Sequence, residues 1–342
     1  MNVTSNELPV ATILITVYNR KTYLIKAVQS VLNQTIDRRK YEIIVSKNFK
    51  DDDIDSFLDK NECINIFDPV GGIGNRLSNL ISMSRSDILI FLEDDDLFNE
   101  SKVEEIVRLF SNEKISYVNN NYYKVEKYGC LIPNKNRRNK NIIISNNNDL
   151  LKHLILLYQK KEYFGMSNIS IRKQKFAPYI EFLKEVSVSP DLFFFLMLSK
   201  LDGEFLFIYR QLTMYRVHDS LSNIKGDYFH FKERRKAFWT QVKGDLEIYF
   251  RLFKYGGYET TISLIEMILF ETSIHIALTS DSTDYRVHLG DIVNGGKIFL
   301  KTRNIFYSIL FIVAFMSHLS PKLAKKLYYF FKVGSLQQWM DL

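Results

Sequence analysis

Two kinds of hydrophobic spacing alternate along the first part of the chain. Val10–Val17, Tyr41–Val45, Ile64–Phe67 and Ile88–Leu92 are short, mostly apolar runs, the pattern of strands covered on both faces. Between the first two, Leu24, Ala27, Val28, Val31 and Leu32 recur at helical spacing behind Thr22, a predicted cap. Strand, helix and strand in this order form a βαβ unit, which predicts a parallel sheet with ligands at the carboxyl ends of its strands. A second helix begins at Lys50–Asp55, with acids crowded into its first turn. A third, Leu77–Ser84, follows a glycine-rich stretch.

Further on, Ser101–Phe110 reads as a helix capped by Ser101, with Glu104 at the capping-box position. Ile115–Val118 and Tyr122–Val125 read as strands, 134–148 as an Asn- and Lys-rich surface loop, Leu150–Tyr158 as a helix and Gly165–Ile171 as a short strand. Asp191–Ser199 is a predicted helix, and Phe205–Tyr209 and Thr213–His218 are predicted strands. Beyond Asp227 long helical segments take over, near 231–255, 260–279 and 305–319. The expectation is an α/β domain over 1–225, a mostly parallel sheet flanked by helices, followed by a helical region over 226–342.

The chemistry concentrates where Ile88–Leu92 leads into Glu93, Asp94, Asp95 and Asp96. Carboxylates crowded at a strand end repel one another unless positive charge lies among them. The run is therefore either a divalent-metal site, with hard oxygen ligands suited to Mg²⁺ or Mn²⁺, or a solvated acidic turn. Gly71–Arg76 either offers backbone N–H groups to a phosphate or simply makes the turn.

Four blocks, in order, carry a resemblance: Ile15-Thr-Val-Tyr-Asn-Arg20, Tyr41-Glu-Ile-Ile-Val45, Ile90-Phe-Leu-Glu-Asp-Asp-Asp96, and Pro190-Asp-Leu-Phe193 followed by Tyr215-Arg-Val-His-Asp-Ser-Leu-Ser222. Together they resemble the family-2 glycosyltransferases, whose fold is the nucleotide-binding GT-A α/β domain. The resemblance implies a nucleoside-diphosphate sugar as donor and a glycan or lipid-linked acceptor. It makes Asp95 the metal ligand of a DXD-type motif, with Glu93 or Asp94 facing the ribose or supporting the metal, and Asp96 further back. It makes Asp191 the general base of an inverting transfer, with Glu185 in reserve. His218 is then a further metal ligand or diphosphate contact, and Arg216 and Arg76 are diphosphate contacts. Thr16, Tyr18, Asn19 and Arg20 would line the base and ribose pocket. One departure stands out: where many members carry an Asp pair after the second strand, this chain has Ser46-Lys-Asn-Phe49. Lys47 cannot accept a hydrogen bond from a nucleobase, so either Asn48 or the acids Asp51–Asp53 substitute, or base recognition differs.

Composition narrows the alternatives. Apolar residues make up 46% and aromatics 14%, which excludes a disordered chain. Cys63 and Cys130 fit neither a zinc spacing nor a disulfide framework, and reduced thiols are expected. Met1–Pro9 lacks the basic start and apolar core of a secretory leader, so a cytoplasmic protein is expected. Of the net charge of +7, an excess of six lies from Lys297 onward, where seven basic residues face one acid, Asp341. That segment also holds Ile305–Leu319, without formal charge but shorter than the about 20 residues a spanning helix needs. A basic, apolar tail points to an anionic membrane surface, reached peripherally from the cytoplasmic face, rather than to nucleic acid. Two other classes remain: a sugar nucleotidyltransferase and a non-catalytic membrane-surface protein. The first would place a basic glycine-rich loop after the first strand, where Tyr18-Asn-Arg-Lys21 has no glycine.

Overall fold

The computed structural model describes residues 8–126, 130–132, 138–145, 149–217, 228–254, 258–280, 287, 289–302 and 305–326. The chain divides into two units, 1–218 and 219–342.

The first unit opens with β1 (Ala11–Val17), α1 (Leu24–Leu32), β2 (Tyr41–Lys47), α2 (Asp52–Lys60), β3 (Ile64–Phe67), α3 (Ile73–Met83), β4 (Ile88–Glu93), β5 (Leu97–Phe98) and α4 (Lys102–Phe110). It continues with β6 (Ile115–Val125), β7 (Leu131–Ile132), β8 (Ile142–Ser145), α5 (Leu150–Gln159), β9 (Ile169–Arg172), α6 (Lys173–Phe176), α7 (Ile180–Leu183), α8 (Pro190–Met197) and β10 (Glu204–Arg216). One sheet runs β3-β2-β1-β4-β9-β6-β10-β5, with β7 beside β6 and β8 beside β10. The strands β3, β2, β1 and β4 are parallel. Beyond β4 the sheet is mixed: β9 enters antiparallel between β4 and β6, while β6 and β10 pair in parallel.

Apolar burial explains the parallel part. Ile13, Ile15, Val45 and Ile90 lie in one core with Leu24 and Val28 of α1 and Ile106 of α4, all fully buried. The register sets Thr16 opposite both Ser46 and Glu93, so β1, β2 and β4 end level and present their following loops together. The start of α2 is as the acids suggest: Asp51 accepts from the Ile54 N–H at 3.1 Å.

Several local expectations differ. The residue capping α1 is Tyr23, which makes no side-chain cap bond. Ser101 makes none either, because its hydroxyl is spent on Asn99, while Glu104 accepts from the Thr35 hydroxyl. The third helix begins earlier than expected, at Ile73, so Gly74 and Arg76 are helical. Gly74 N–H donates to Val186 O at 3.1 Å, so that amide is not offered to a phosphate. A Cβ on Gly74 would lie 1.9 Å from Leu183 O, which is why this position needs glycine. The two strands expected around Asn119–Asn121 are one continuous β6, since the three asparagines find partners inside the fold. Gly165–Ile171 is a left-handed Gly165 (φ 89°) and a short 3-10 turn ahead of β9, rather than strand throughout.

The second unit contains α9 (Tyr228–Lys254), α10 (Glu259–Thr279), α11 (Leu289–Thr302) and α12 (Ile305–Leu319). The helix α11 has no counterpart in the apolar pattern because Gly295 and Gly296 interrupt it. Gly295 permits close packing, since a Cβ there would lie 2.3 Å from the Phe270 ring of α10. Thr261–Thr279 is long and apolar enough to cross a membrane, but 67% of it is buried within the fold. In α12, Ala314 and Ser317 face inward while Ile312, Phe315 and Leu319 are exposed.

Candidate active site

The level ends of β1, β2 and β4 gather most of the residues picked out from the sequence. After Glu93 the chain turns, with Asp96 N–H donating to Glu93 O at 3.3 Å, and enters β5. Asp94 and Asp96 are buried and Asp95 is partly exposed. Arg20, from the loop after β1, forks across this turn: Nη2 reaches Asp94 Oδ1 at 2.6 Å, Nε reaches Asp94 Oδ2 at 3.3 Å, and Nη1 reaches Asp95 Oδ2 at 2.6 Å. Arg20 thus lies on the acids.

A second fixture locks the neighbouring loops. Asn19 sits in the left-handed region (φ 55°), which asparagine tolerates better than most residues. Its N–H donates to Asn48 Oδ1 at 2.8 Å, and Asn48 Nδ2 donates to Asn19 Oδ1 at 2.7 Å. Lys47, at the departure from the family pattern, is 1% exposed; it pairs with Asp55 at 2.5 Å and donates to Phe49 O at 2.9 Å. It therefore turns away from any ligand. Burial pushes the Asp55 carboxyl up, but the bonds from Lys47 and Asn65 outweigh this and hold it at about 2.

Arg76 behaves differently from Arg20. It is 1% exposed, its guanidinium lies 4.8 Å from the centroid of the exposed Tyr18 ring, and its Nε and Nη2 have no hydrogen-bond partner. A buried guanidinium with unsatisfied nitrogens is an anion site in waiting. Arg216 is fully engaged: its N–H donates to Asp96 Oδ1 at 2.9 Å, Nε to Asp95 O at 2.8 Å and Nη1 to Glu126 O at 3.3 Å. Its guanidinium covers the Tyr23 ring at 4.7 Å. These bonds hold the shape of the acid turn, one going to the Asp96 carboxylate and two to backbone oxygens. His218 lies outside the described residues.

Asp191 sits at the second position of α8, two residues past the capping residue Ser189. Its Oδ2 accepts from Gly165 N–H at 3.1 Å and its Oδ1 from Leu192 N–H at 2.9 Å, so two backbone donors orient it. It belongs electrostatically to the acid turn: burial first, then the charges of Asp96, Asp95, Asp191 and Asp94, push Glu93 well above the carboxylate range. Burial and Asp95 likewise push Asp96 up to about 7, against the Arg216 N–H, the Ser167 hydroxyl and Lys102. Glu185 is exposed, on the far side of Val186 from α8 in sequence.

The polar groups that tie Asp191 to the acids were not picked out from the sequence. The loop Phe164–Asn168 runs between them: Gly165 N–H holds Asp191, and the Ser167 hydroxyl accepts from Glu93 N–H at 2.9 Å. Beneath it Lys102 is fully buried, donating to Ser167 O and to Thr213 Oγ1, with Phe98 against its ammonium. Burial pulls its pKa well below the lysine range. The available signal was a lysine in the first turn of α4, where the helix dipole favours acids.

No group of three or more His, Cys, Asp or Glu side chains is gathered as a metal site among the described residues. The donor chemistry nevertheless fits a hard cation. Asp94 and Asp95 both direct oxygens at one positive centre, and Mg²⁺ is commonly held by one or two carboxylates, with waters and substrate phosphates completing the shell.

The profile of glycosyl transferase family 2 matches residues 12–178. A protein of Rickettsia bellii described as an uncharacterized glycosyltransferase is 29% identical over 121 residues, 34% of this chain, and the match spans only 17% of that relative's length. The crystal structure of S. aureus TarS 1-349 is similar over 95% of this chain and 92% of its own, with a TM-score of 0.52 and 10% identity. The same protein in complex with UDP-GlcNAc matches with a TM-score of 0.54, 11% identity and the same coverage. At such identities the structural likeness speaks for the fold, while the profile speaks for the sequence. Residues 12–178 thus match the model of glycosyl transferase family 2, and the α/β unit that holds them has a GT-A-like fold.

Proposed function

We propose that the chain transfers a sugar from a nucleoside-diphosphate sugar to an acceptor hydroxyl, with inversion at the anomeric carbon. The observation that carries this reading is one site in which Asp191, oriented by the Gly165 and Leu192 N–H groups, is tied through the loop Phe164–Asn168 and the Ser167 hydroxyl to the turn of four carboxylates. Asp191 takes the proton of the acceptor hydroxyl; that oxygen forms a bond to the anomeric carbon as the bond to the diphosphate breaks on the opposite face. A divalent ion, Mn²⁺ or Mg²⁺, held by Asp94 and Asp95 would supply positive charge to the departing diphosphate. Glu93 and His218 are the further ligands in this reading. Arg76 adds a second charge, its unsatisfied nitrogens suiting a phosphate. Thr16, Tyr18, Asn19 and Asn48 line the base and ribose. Because TarS was crystallised with UDP and UDP-GlcNAc, UDP sugars are the first donors to try.

Release of nucleoside diphosphate from a panel of donors, with Mn²⁺ or Mg²⁺ and glycan or lipid-linked acceptors, tests the reading. Asp95→Ala and Asp191→Ala should each lose on the order of 10²-fold or more in kcat. Wild-type rates in both variants would refute it.

The second unit supports a separate proposal, attachment to an anionic membrane on the cytoplasmic face. Ile312, Phe315 and Leu319 form an exposed apolar stripe on α12, and Lys322 follows it, also exposed. Flotation with phosphatidylserine vesicles should exceed that with phosphatidylcholine, and a Phe315→Ser, Leu319→Ser double variant should lose it. Equal flotation with both lipids would end this proposal.

A further inference from the structure

The Arg20 fork raises a problem for the reading above. Its guanidinium holds Asp94 Oδ1 and Asp95 Oδ2 at 2.6 Å each, and both acids are mostly enclosed, with side chains 3% and 14% exposed. Arg20 Nε also reaches Asp94 Oδ2 at 3.3 Å, so an ion seated between the two acids, where the guanidinium now lies, would take the same oxygens. Two cations sharing them at contact distance would repel each other strongly in so enclosed a place. The ion can therefore hold the acids only when Arg20 has let go. Arg20 can move: its side chain is 37% exposed and follows the exposed Tyr18 and Asn19 at the end of β1. Its natural next partner is an anion arriving with the ion. A diphosphate fits, because the planar fork of arginine matches phosphate oxygens as well as it matches carboxylates.

We propose that Arg20 is a latch on the donor site, opened jointly by a divalent ion and a nucleoside diphosphate. The ion takes Asp94 and Asp95, and the guanidinium passes to the diphosphate. No bond is made or broken covalently; the acids exchange one counter-ion for another. The proposal rests on the glycosyltransferase reading and adds that the ion binds poorly without nucleotide because a residue of the chain already occupies its place. Binding of ion and nucleotide is then mutually reinforcing, with part of the coupling running through Arg20.

The test is Mn²⁺ binding to the full chain, read from the free-ion signal by electron paramagnetic resonance, without nucleotide and then with UDP as probe. Without nucleotide, Arg20→Met should bind Mn²⁺ at least about tenfold tighter than wild type, within the usual span of site-to-site coupling. Arg20→Lys should fall between them, since one ammonium cannot grip both acids as a fork does, and it carries the test should Arg20→Met fold poorly. UDP should tighten Mn²⁺ binding more in wild type than in Arg20→Met. Asp95→Asn should weaken Mn²⁺ binding in either background. Arg20 variants that bind Mn²⁺ no tighter than wild type, or binding indifferent to Asp95→Asn, would overturn the latch. Donor turnover is the separate readout. A chain with the expected Arg20 dependence but no transfer would sink the function above and keep the latch, whereas transfer with unchanged Mn²⁺ affinity would sink the latch alone.

Discussion

The two halves of the α/β sheet are built by different rules. In β3-β2-β1-β4 the interior is mostly apolar, with Thr12, Glu42, Ser46 and Lys47 as buried polar exceptions, and the candidate residues Arg20, Asn19 and Asn48 stand in loops beyond the strand ends. In β9-β6-β10 the polar groups lie inside the layer itself: Asn119, Asn120, Asn121, Ser170 and Thr213 are buried, and Lys102 is buried against them. Asn120 donates to Thr213 Oγ1 at 2.9 Å, and Arg138 donates to Asn119 Oδ1 at 2.7 Å. The first half is a platform whose following loops carry the candidate residues. The second is a connected set of hydrogen bonds that also positions Ser167, and through its loop Asp191, so stability and site geometry are the same property there.

That contrast can be broken most sharply at Lys102. Lys102→Ala should cost about 3–5 kcal/mol, as expected when one member of a buried charged network is removed; urea denaturation would measure it. A cost under about 1 kcal/mol, the usual surface value, would mean the second half is not held by its polar groups. Gly74→Ala probes the apolar platform. The added methyl meets Leu183 O at 1.9 Å, so a loss of about 1–3 kcal/mol is expected, as for overpacking, again read by denaturation and with α3 and Arg76 displaced. The smallest effect belongs to the Lys47–Asp55 pair. Asp55 titrates at about 2 rather than the ordinary 3.8, so its stabilisation is complete above about pH 4 and is lost as pH falls through 2. After screening it should amount to on the order of 1 kcal/mol. Thermal melts between pH 5 and pH 2 should show the decline, and Asp55→Asn should flatten it.

The same division decided what could be read from the chain. Ile88–Leu92 and the positions Leu24, Ala27, Val28 and Val31 announce a strand and a helix because each is buried by its own periodicity, whatever packs on it. The acid turn and Asp191 were singled out for a different reason, as contiguous motifs that resemble those of a known family. Asn119–Asn121 read as a break between strands because asparagine is a poor strand former in isolation. What keeps it in β6 is a set of partners 17 to 93 residues away in sequence. Glycine at 295 and 296 hid α11 in the same way, since its use is the close approach of Phe270.

The chain by itself determined the order of strands and helices in the parallel half, the place of the carboxylates at the end of β4, and the family whose motifs they resemble. Local propensity and burial period suffice for that, and the motifs are contiguous. Only the tertiary structure decided that Arg20 grips Asp94 and Asp95, that Arg76 is buried with unsatisfied nitrogens, and that Lys102 and Ser167 join the acids to Asp191. Those are pairings of charges and hydrogen bonds between distant segments. Their energy depends on enclosure and distance, which no spacing along the sequence encodes.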